Sequence, residues 1–319
     1  MPKGFRSYFL PLLFLTLPAG AADRDICVRQ GHRCADLVYR GLTYPYEREP
    51  SSYLFINGGV YPYVDVTDDL LGASTVRLPD DSVMEVARLL QSLGLGDKIG
   101  AQLIPVIGYG SNPAPSQIGR KFSARAYQGD VVVPVMKGVL HDFDVVWTPA
   151  FVTYGSMPAT VAPSPGTDVD VWITWLENGA EQTMDETEHS NTEERPLYVQ
   201  ATLDDARYSF DGPDPDHIGI YVSCFGPLAV DGETFAVSEV PARGRTIKTL
   251  TSPQAIAKVT LQLGWRGSVL DLVYSNVVDA SARAERNARL RALGSLPVIP
   301  GASDLDACKS SWEGPGKAY

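Results

Sequence analysis

The sequence predicts an α+β fold, and three stretches predict it. Residues 169–176 alternate apolar and polar side chains, as a half-buried strand does. Val83, Val86, Ala87 and Leu90 recur at helical spacing behind Asp80 and Asp81, either of which can cap a helix start. Between these lies an apolar run, 104–107, that ends in Gly108-Tyr109-Gly110-Ser111-Asn112. It then passes through Pro113 and Pro115 into residues 116–122. That order reads as strand, tight turn, helix, because proline sits well in a first helical turn and glycine lets backbone approach a ligand closely.

The remaining elements follow along the chain. Lys3 and Arg6, an apolar run over 9–17, and Ala19-Gly20-Ala21 have the layout of a secretory signal. The run is too short for a stable bilayer span, and no later stretch is long and apolar enough for one. The expected location is therefore periplasmic or secreted, with a buried N-terminal segment of a cytoplasmic chain as the alternative. Asn57-Gly58 between apolar flanks predicts a hairpin over 54–61, and Gly94 and Gly96 close the helix that begins near Ser82. Gly138 opens a further strand running through Phe143 and Val145. Tyr154 to Gly166 is rich in proline and small residues and precedes the 169–176 strand. An acidic helix then ends in Met184-Asp185-Glu186-Thr187-Glu188, and a strand begins near Tyr198. Asp211, Asp214 and Asp216, interleaved with glycine and proline, read as a solvated loop rather than a cation site. Strands are expected at 221–225 and 234–240, and helices at 253–263 and 280–293.

The chain has 319 residues and a formal net charge of -11. It has no cation excess to neutralise phosphates, so nucleic acid is not an expected partner. The four cysteines, in an exported chain, suit two disulfides. The short spacing of Cys27 and Cys34 favours closing that loop, which leaves Cys224 with Cys308; the other two connectivities stay open. A metal site from Cys27, His32 and Cys34 lacks a second cluster of matching spacing. Ser111 as a hydrolase nucleophile lacks a motif tying it to His32, His141, His189 or His217. Gly-x-Gly-x-x-Gly and the lysine-bearing phosphate loop are both absent from the sequence.

Four features in order over residues 103–203 resemble the gamma-glutamylcyclotransferase-like superfamily. They are Tyr109-Gly110-Ser111-Asn112 after a strand, the Gly138-Val139-Leu140 strand, Pro158-Ala159-Thr160-Val161-Ala162-Pro163 ahead of Gly166, and the helix end Met184 to Glu188. Met184 stands where the family has leucine, His189 follows where glycine is frequent, and Pro113 takes a place where an apolar residue is common. The resemblance implies a small mixed β-barrel-like core with N- and C-terminal extensions packed on it. It divides the chain into a signal peptide (1–21), an N-terminal extension (22–100), a core (101–212) and a C-terminal extension (213–319). Neither flank shows a complete binary pattern of its own, so both are expected to pack on the core.

The resemblance also implies a chemistry. The α-amine of a gamma-glutamyl group attacks its own side-chain amide, giving 5-oxoproline and a free amine. Glu188 is the implied general acid/base, and Tyr109, Gly110, Ser111 and Asn112 the implied substrate-binding turn. The reaction needs a curled substrate, a base and donors for the oxyanion, so no metal or organic cofactor is expected. The partner is a small gamma-glutamyl substrate. The alternative is a non-catalytic module that uses the same pocket for an amino-acid-like ligand or a partner peptide.

Overall fold

The computed structural model describes residues 34–123, 127–189, 197–204, 207–215, 217–303, 305–306 and 308. The signal-like segment, Cys27, His32 and Asp216 lie outside the described residues, and so do the expectations of a signal at 1–21 and of a Cys27–Cys34 pairing.

Helix α1 (Cys34–Leu42) comes first, followed by strands β1 (Tyr53–Ile56) and β2 (Gly59–Asp65). The two strands pair antiparallel across Asn57-Gly58. Both turn residues have positive φ, 47° and 98°, which the twist of a two-residue hairpin requires and which asparagine and glycine tolerate best. Next come β3 (Thr75–Arg77), β4 (Val83–Glu85) and helix α2 (Val86–Ser92). The helix therefore starts later than its apolar spacing suggests, because residues 83–85 pair with β3 instead.

The centre of the chain supplies β5 (Ile104–Gly108), α3 (Pro115–Lys121), β6 (Val132–Trp147), β7 (Ala159–Leu176) and α4 (Asn178–His189). It continues through β8 (Tyr198–Leu203), β9 (Tyr208–Phe210) and β10 (Ile218–Ser223). Six short strands follow: β11 (Ala229–Val230), β12 (Glu233–Thr234), β13 (Ala236–Val237), β14 (Ala242–Arg243), β15 (Thr249–Leu250) and β16 (Ala302–Ser303). Among them run helices α5 (Ser252–Thr260), α6 (Val269–Val278) and α7 (Ala280–Leu290).

The α+β class stands, but the small barrel-like core does not. Fourteen strands form one mixed sheet: ten follow the order β16-β8-β10-β5-β7-β6-β1-β2-β3-β4, whose two ends do not meet, and β9, β13, β14 and β15 pair beside that path. The reason lies in β6. One edge is taken by β7 along most of its length. The other edge meets β1 at residues 132–135, β9 at 138–140 and β13 at Val146. Segments from both flanks thus occupy the edge that closure would need, and the flanks extend the sheet rather than only packing on it. The one parallel pairing along that path joins β10 to β5.

The main core lies between this sheet and helices α1, α5 and α6, with Trp147, Phe151, Ile256, Leu272 and Val273 buried in it. A separate apolar cluster on the other side holds Ile118 of α3 together with Ala180 and Met184 of α4. This second cluster docks α3 beside α4. Cys224, just past β10, is bonded to Cys308 at an S–S distance of 2.10 Å, tying the tail to the sheet.

Candidate active site

The strand β5 ends at Gly108, and the chain turns through Tyr109-Gly110-Ser111-Asn112 into α3. Glycine is needed here for close approach. A Cβ on Gly110 would lie 2.3 Å from the Tyr44 hydroxyl, and one on Gly108 would lie 2.9 Å from Cδ of Pro113. Side chains hold the turn from several sides. The Tyr53 hydroxyl donates to the Pro113 carbonyl at 2.5 Å, and Arg48 donates to the Tyr109 carbonyl at 3.2 Å. The Arg48 guanidinium also lies 4.6 Å from the Trp172 ring centre. Burial pulls Arg48 down to about 10, which still leaves it charged at neutral pH.

Three buried tyrosines, Tyr109 of the turn among them, brace the surroundings of the turn. Tyr44 accepts a hydrogen bond from the Ala159 N–H at 3.1 Å, while Tyr198 donates to the Ala159 carbonyl at 2.6 Å. The Tyr109 hydroxyl donates to the Tyr221 carbonyl at 2.5 Å. Burial pushes all three hydroxyls above the usual phenol range, so they remain neutral.

The acids of α4 and of the residue before it separate by environment. Glu177 pairs with Lys98 at 2.8 Å, and Glu181 accepts from Gln200 at 3.2 Å. Asp185 accepts from the Tyr221 hydroxyl, and Glu186 is exposed. Glu188 alone of these acids is buried, and it forms an ion pair with Lys121, which is also buried. Lys121 Nζ lies 3.2 Å from the sulfur of Met184, one turn before Glu188 on the same face. The helical phase that turns Met184 inward therefore turns Glu188 inward as well.

Tyr109, Gly110, Ser111, Asn112 and Glu188 all line one cavity of about 560 Å³. The structure thus brings together every residue that the sequence analysis singled out for the site. Sequence reasoning missed Lys121, whose place behind Arg120 at a helix end looks like an ordinary surface charge. It also missed Tyr44, Tyr198, Arg40 and Gln117. The only local hint was Gln117 and Lys121 at i and i+4, on the face that carries Ile118.

A second arrangement lies elsewhere. His141 Nδ1 is 2.7 Å from Asp168, and its Nε2 is 2.9 Å from the Ser209 hydroxyl. The bond to His141 holds the Asp168 carboxyl below the usual range. Serine, histidine and aspartate in this order match a nucleophile relay in composition. However, Ser209 is a ladder residue paired with Val139, and none of the three lines the cavity. Among the described residues, no group of three or more His, Cys, Asp and Glu is placed to hold a metal ion, and no helix is long and apolar enough to cross a membrane.

No family model and no curated protein matches the chain. Among solved structures it bears a distant resemblance to a gamma-glutamyl cyclotransferase, at 12% identity and a TM-score of 0.26, over 65% of this chain and 99% of that one. It resembles similarly an ensemble-refined crystal structure of an uncharacterized protein from Homo sapiens, at 13% identity and a TM-score of 0.26, again over 65% and 99%.

Proposed function

We propose that this protein is a gamma-glutamylcyclotransferase-like enzyme that converts a gamma-glutamyl amine or peptide to 5-oxoproline and a free amine. One observation carries the reading: a buried carboxylate, Glu188, and the Tyr109–Asn112 turn face the same cavity. Their shared cavity supports the reading, because the reaction needs a base and backbone donors around one substrate.

In this reading the turn cradles the α-carboxylate of the substrate and curls its side chain back on itself. Glu188 takes a proton from the α-ammonium. The freed nitrogen attacks the side-chain amide carbon, and a new C–N bond closes the five-membered ring. The carbonyl electron pair rests on oxygen in the tetrahedral state, where backbone N–H groups of a glycine turn are suited to receive it. When that pair returns, the original C–N bond breaks: Glu188 gives its proton to the departing nitrogen, then takes the surplus proton of the ring nitrogen and passes it to the released amine, which leaves as an ammonium. Atoms balance without water or an external reactant.

Lys121 shapes the first step. Its ammonium sits on Glu188, where the ammonium of the substrate would sit, so the substrate displaces an internal cation on binding. The same observation favours a second reading, a binding module in which Glu188 is a permanent partner of Lys121 and ligands are held without turnover.

The Cys224–Cys308 bond supports an oxidising location, periplasmic or secreted. Incubating the protein with a panel of gamma-glutamyl peptides and amines, and measuring 5-oxoproline and free amine together, tests the enzyme reading. Equal amounts of both products are expected, with loss of roughly 100-fold or more in Glu188→Gln, which removes the base. Binding without product across the panel, unchanged in Glu188→Gln, would instead establish the module.

A further inference from the structure

One wall of the cavity carries positive charge that the reaction above does not use. Arg40 of α1 and Arg120 of α3 converge on a single acceptor, the Gln117 side-chain oxygen. Arg120 reaches it through Nη2 at 2.8 Å and Nε at 3.2 Å, and Arg40 through Nη2 at 3.4 Å. Arg40, Gln117 and Arg120 all line the cavity. Each guanidinium lies against a tyrosine: Arg40 is 4.4 Å from the Tyr154 ring centre, and Arg120 is 4.9 Å from that of Tyr46. The two rings are themselves 6.4 Å apart.

Two features mark the pair as unfinished. Among the described residues neither arginine forms an ion pair with a carboxylate, although the chain carries 38 acidic residues against 27 basic ones. Nε of Arg40 is buried and has no hydrogen-bond partner. Like charges held side by side and short of acceptors repel each other. Accordingly, partial desolvation of the guanidinium and then the neighbouring Arg40 charge pull Arg120 below its usual range, although the residue is exposed overall. A planar anion satisfies such a fork through paired N–H bonds.

The position fixes what part of a ligand would reach it. Gln117 and Lys121 are four residues apart on the inner face of α3, and both are buried. The arginine fork is therefore about 6 Å along the helix from the Lys121–Glu188 pair. In an amino-acid leaving group the carboxylate carbon is about 2.5 Å from the nitrogen that Glu188 would protonate, and a hydrogen bond at each end, about 2.8 Å long, extends the reach between protein groups to that order.

We infer that Arg40, Gln117 and Arg120 form a carboxylate-binding subsite that holds the departing half of the substrate. This rests on the reaction proposed above and narrows it to gamma-glutamyl peptides whose leaving amine carries a carboxylate. Arg40 lies outside the 103–203 stretch, so the subsite is a property of this chain's N-terminal segment together with its centre.

The test compares gamma-glutamylalanine with gamma-glutamylalaninamide, which differ only in that carboxylate, on wild type, Arg120→Met and Arg40→Met. Arg120 is exposed at the end of α3, so its variant is the one best placed to fold normally. Wild type is expected to favour the acid in kcat/KM by roughly 10- to 100-fold, as bonds between charged partners allow. Either variant is expected to shrink that ratio severalfold or more. A ratio near one in wild type, or a ratio unchanged in both variants, overturns the subsite and leaves the cyclotransferase reading intact. If wild type cyclises neither compound, that reading fails, and calorimetric binding of the same pair decides the subsite. Tighter binding of the acid that is lost in the arginine variants upholds it; equal affinities, or no binding of either compound, overturn it.

Discussion

Two buried ion pairs in this molecule differ in how completely their charges are satisfied. The carboxylate of Asp144 is fully buried and receives both arms of Arg245, at 2.8 and 2.7 Å, and the N–H of Val145 at 2.8 Å. Arg245 also donates to the Val240 carbonyl at 2.9 Å. The Glu188 carboxylate is met through one oxygen by Lys121, and both side chains lie on a cavity wall. In the first pair the carboxylate, on β6, is wholly enclosed. The second borders a cavity, and the proposed reaction requires only that one ammonium replace another there. Burial alone does not separate these two pairs; the number of partners and the presence of a neighbouring cavity do.

Breaking the closed pair should have the largest effect. Arg245→Met leaves a buried carboxylate without its cation and is expected to cost about 3–5 kcal/mol of stability, read from urea unfolding. The open pair should be more forgiving. Lys121→Met is expected to cost about 2 kcal/mol, because cavity water can reach Glu188 where nothing reaches Asp144. Equal losses in the two variants would erase the distinction.

The hairpin at Asn57-Gly58 was legible because its turn chemistry is local, and the α3 start was legible from its prolines. Helix α6 was missed although Ser268 and Asp271 cap each other's backbone N–H groups in the pattern that announces a helix start. The apolar alternation places the start of β7 at residue 169, yet the strand runs from Ala159 through Pro163 and Pro165. Prolines survive in a strand wherever the missing N–H faces away from the paired neighbour, and sequence does not reveal which way it faces. Glu188 could be picked from among its acidic neighbours only through the order of family-like motifs. Its inward direction depends on the packing of Met184 against its cluster, and its partner Lys121 lies 67 residues away. The open sheet was illegible for the same reason. The strands that block closure on β6 come from both flanks.

Smaller changes sharpen the comparison. Tyr44→Phe removes the acceptor of the buried Ala159 N–H and is expected to cost about 1 kcal/mol, visible as a lower melting temperature. The exposed Asp168–His141 pair should matter least. Its carboxyl is held below the usual range in the folded state. Its contribution is therefore present above the unfolded value, near pH 4, and is lost as pH falls through the folded value. The melting temperatures of wild type and Asp168→Asn should differ slightly at neutral pH and converge in acid. A gap that widens on acidification would contradict the assignment.

The most direct test of the open pair is a crystal structure of the protein with a gamma-glutamyl compound bound. The account predicts the ligand's ammonium within hydrogen-bond distance of Glu188, its α-carboxylate against the Tyr109–Asn112 turn, and Lys121 Nζ displaced from Glu188. A ligand bound elsewhere, or one bound in the cavity with the Lys121–Glu188 pair intact, would contradict it.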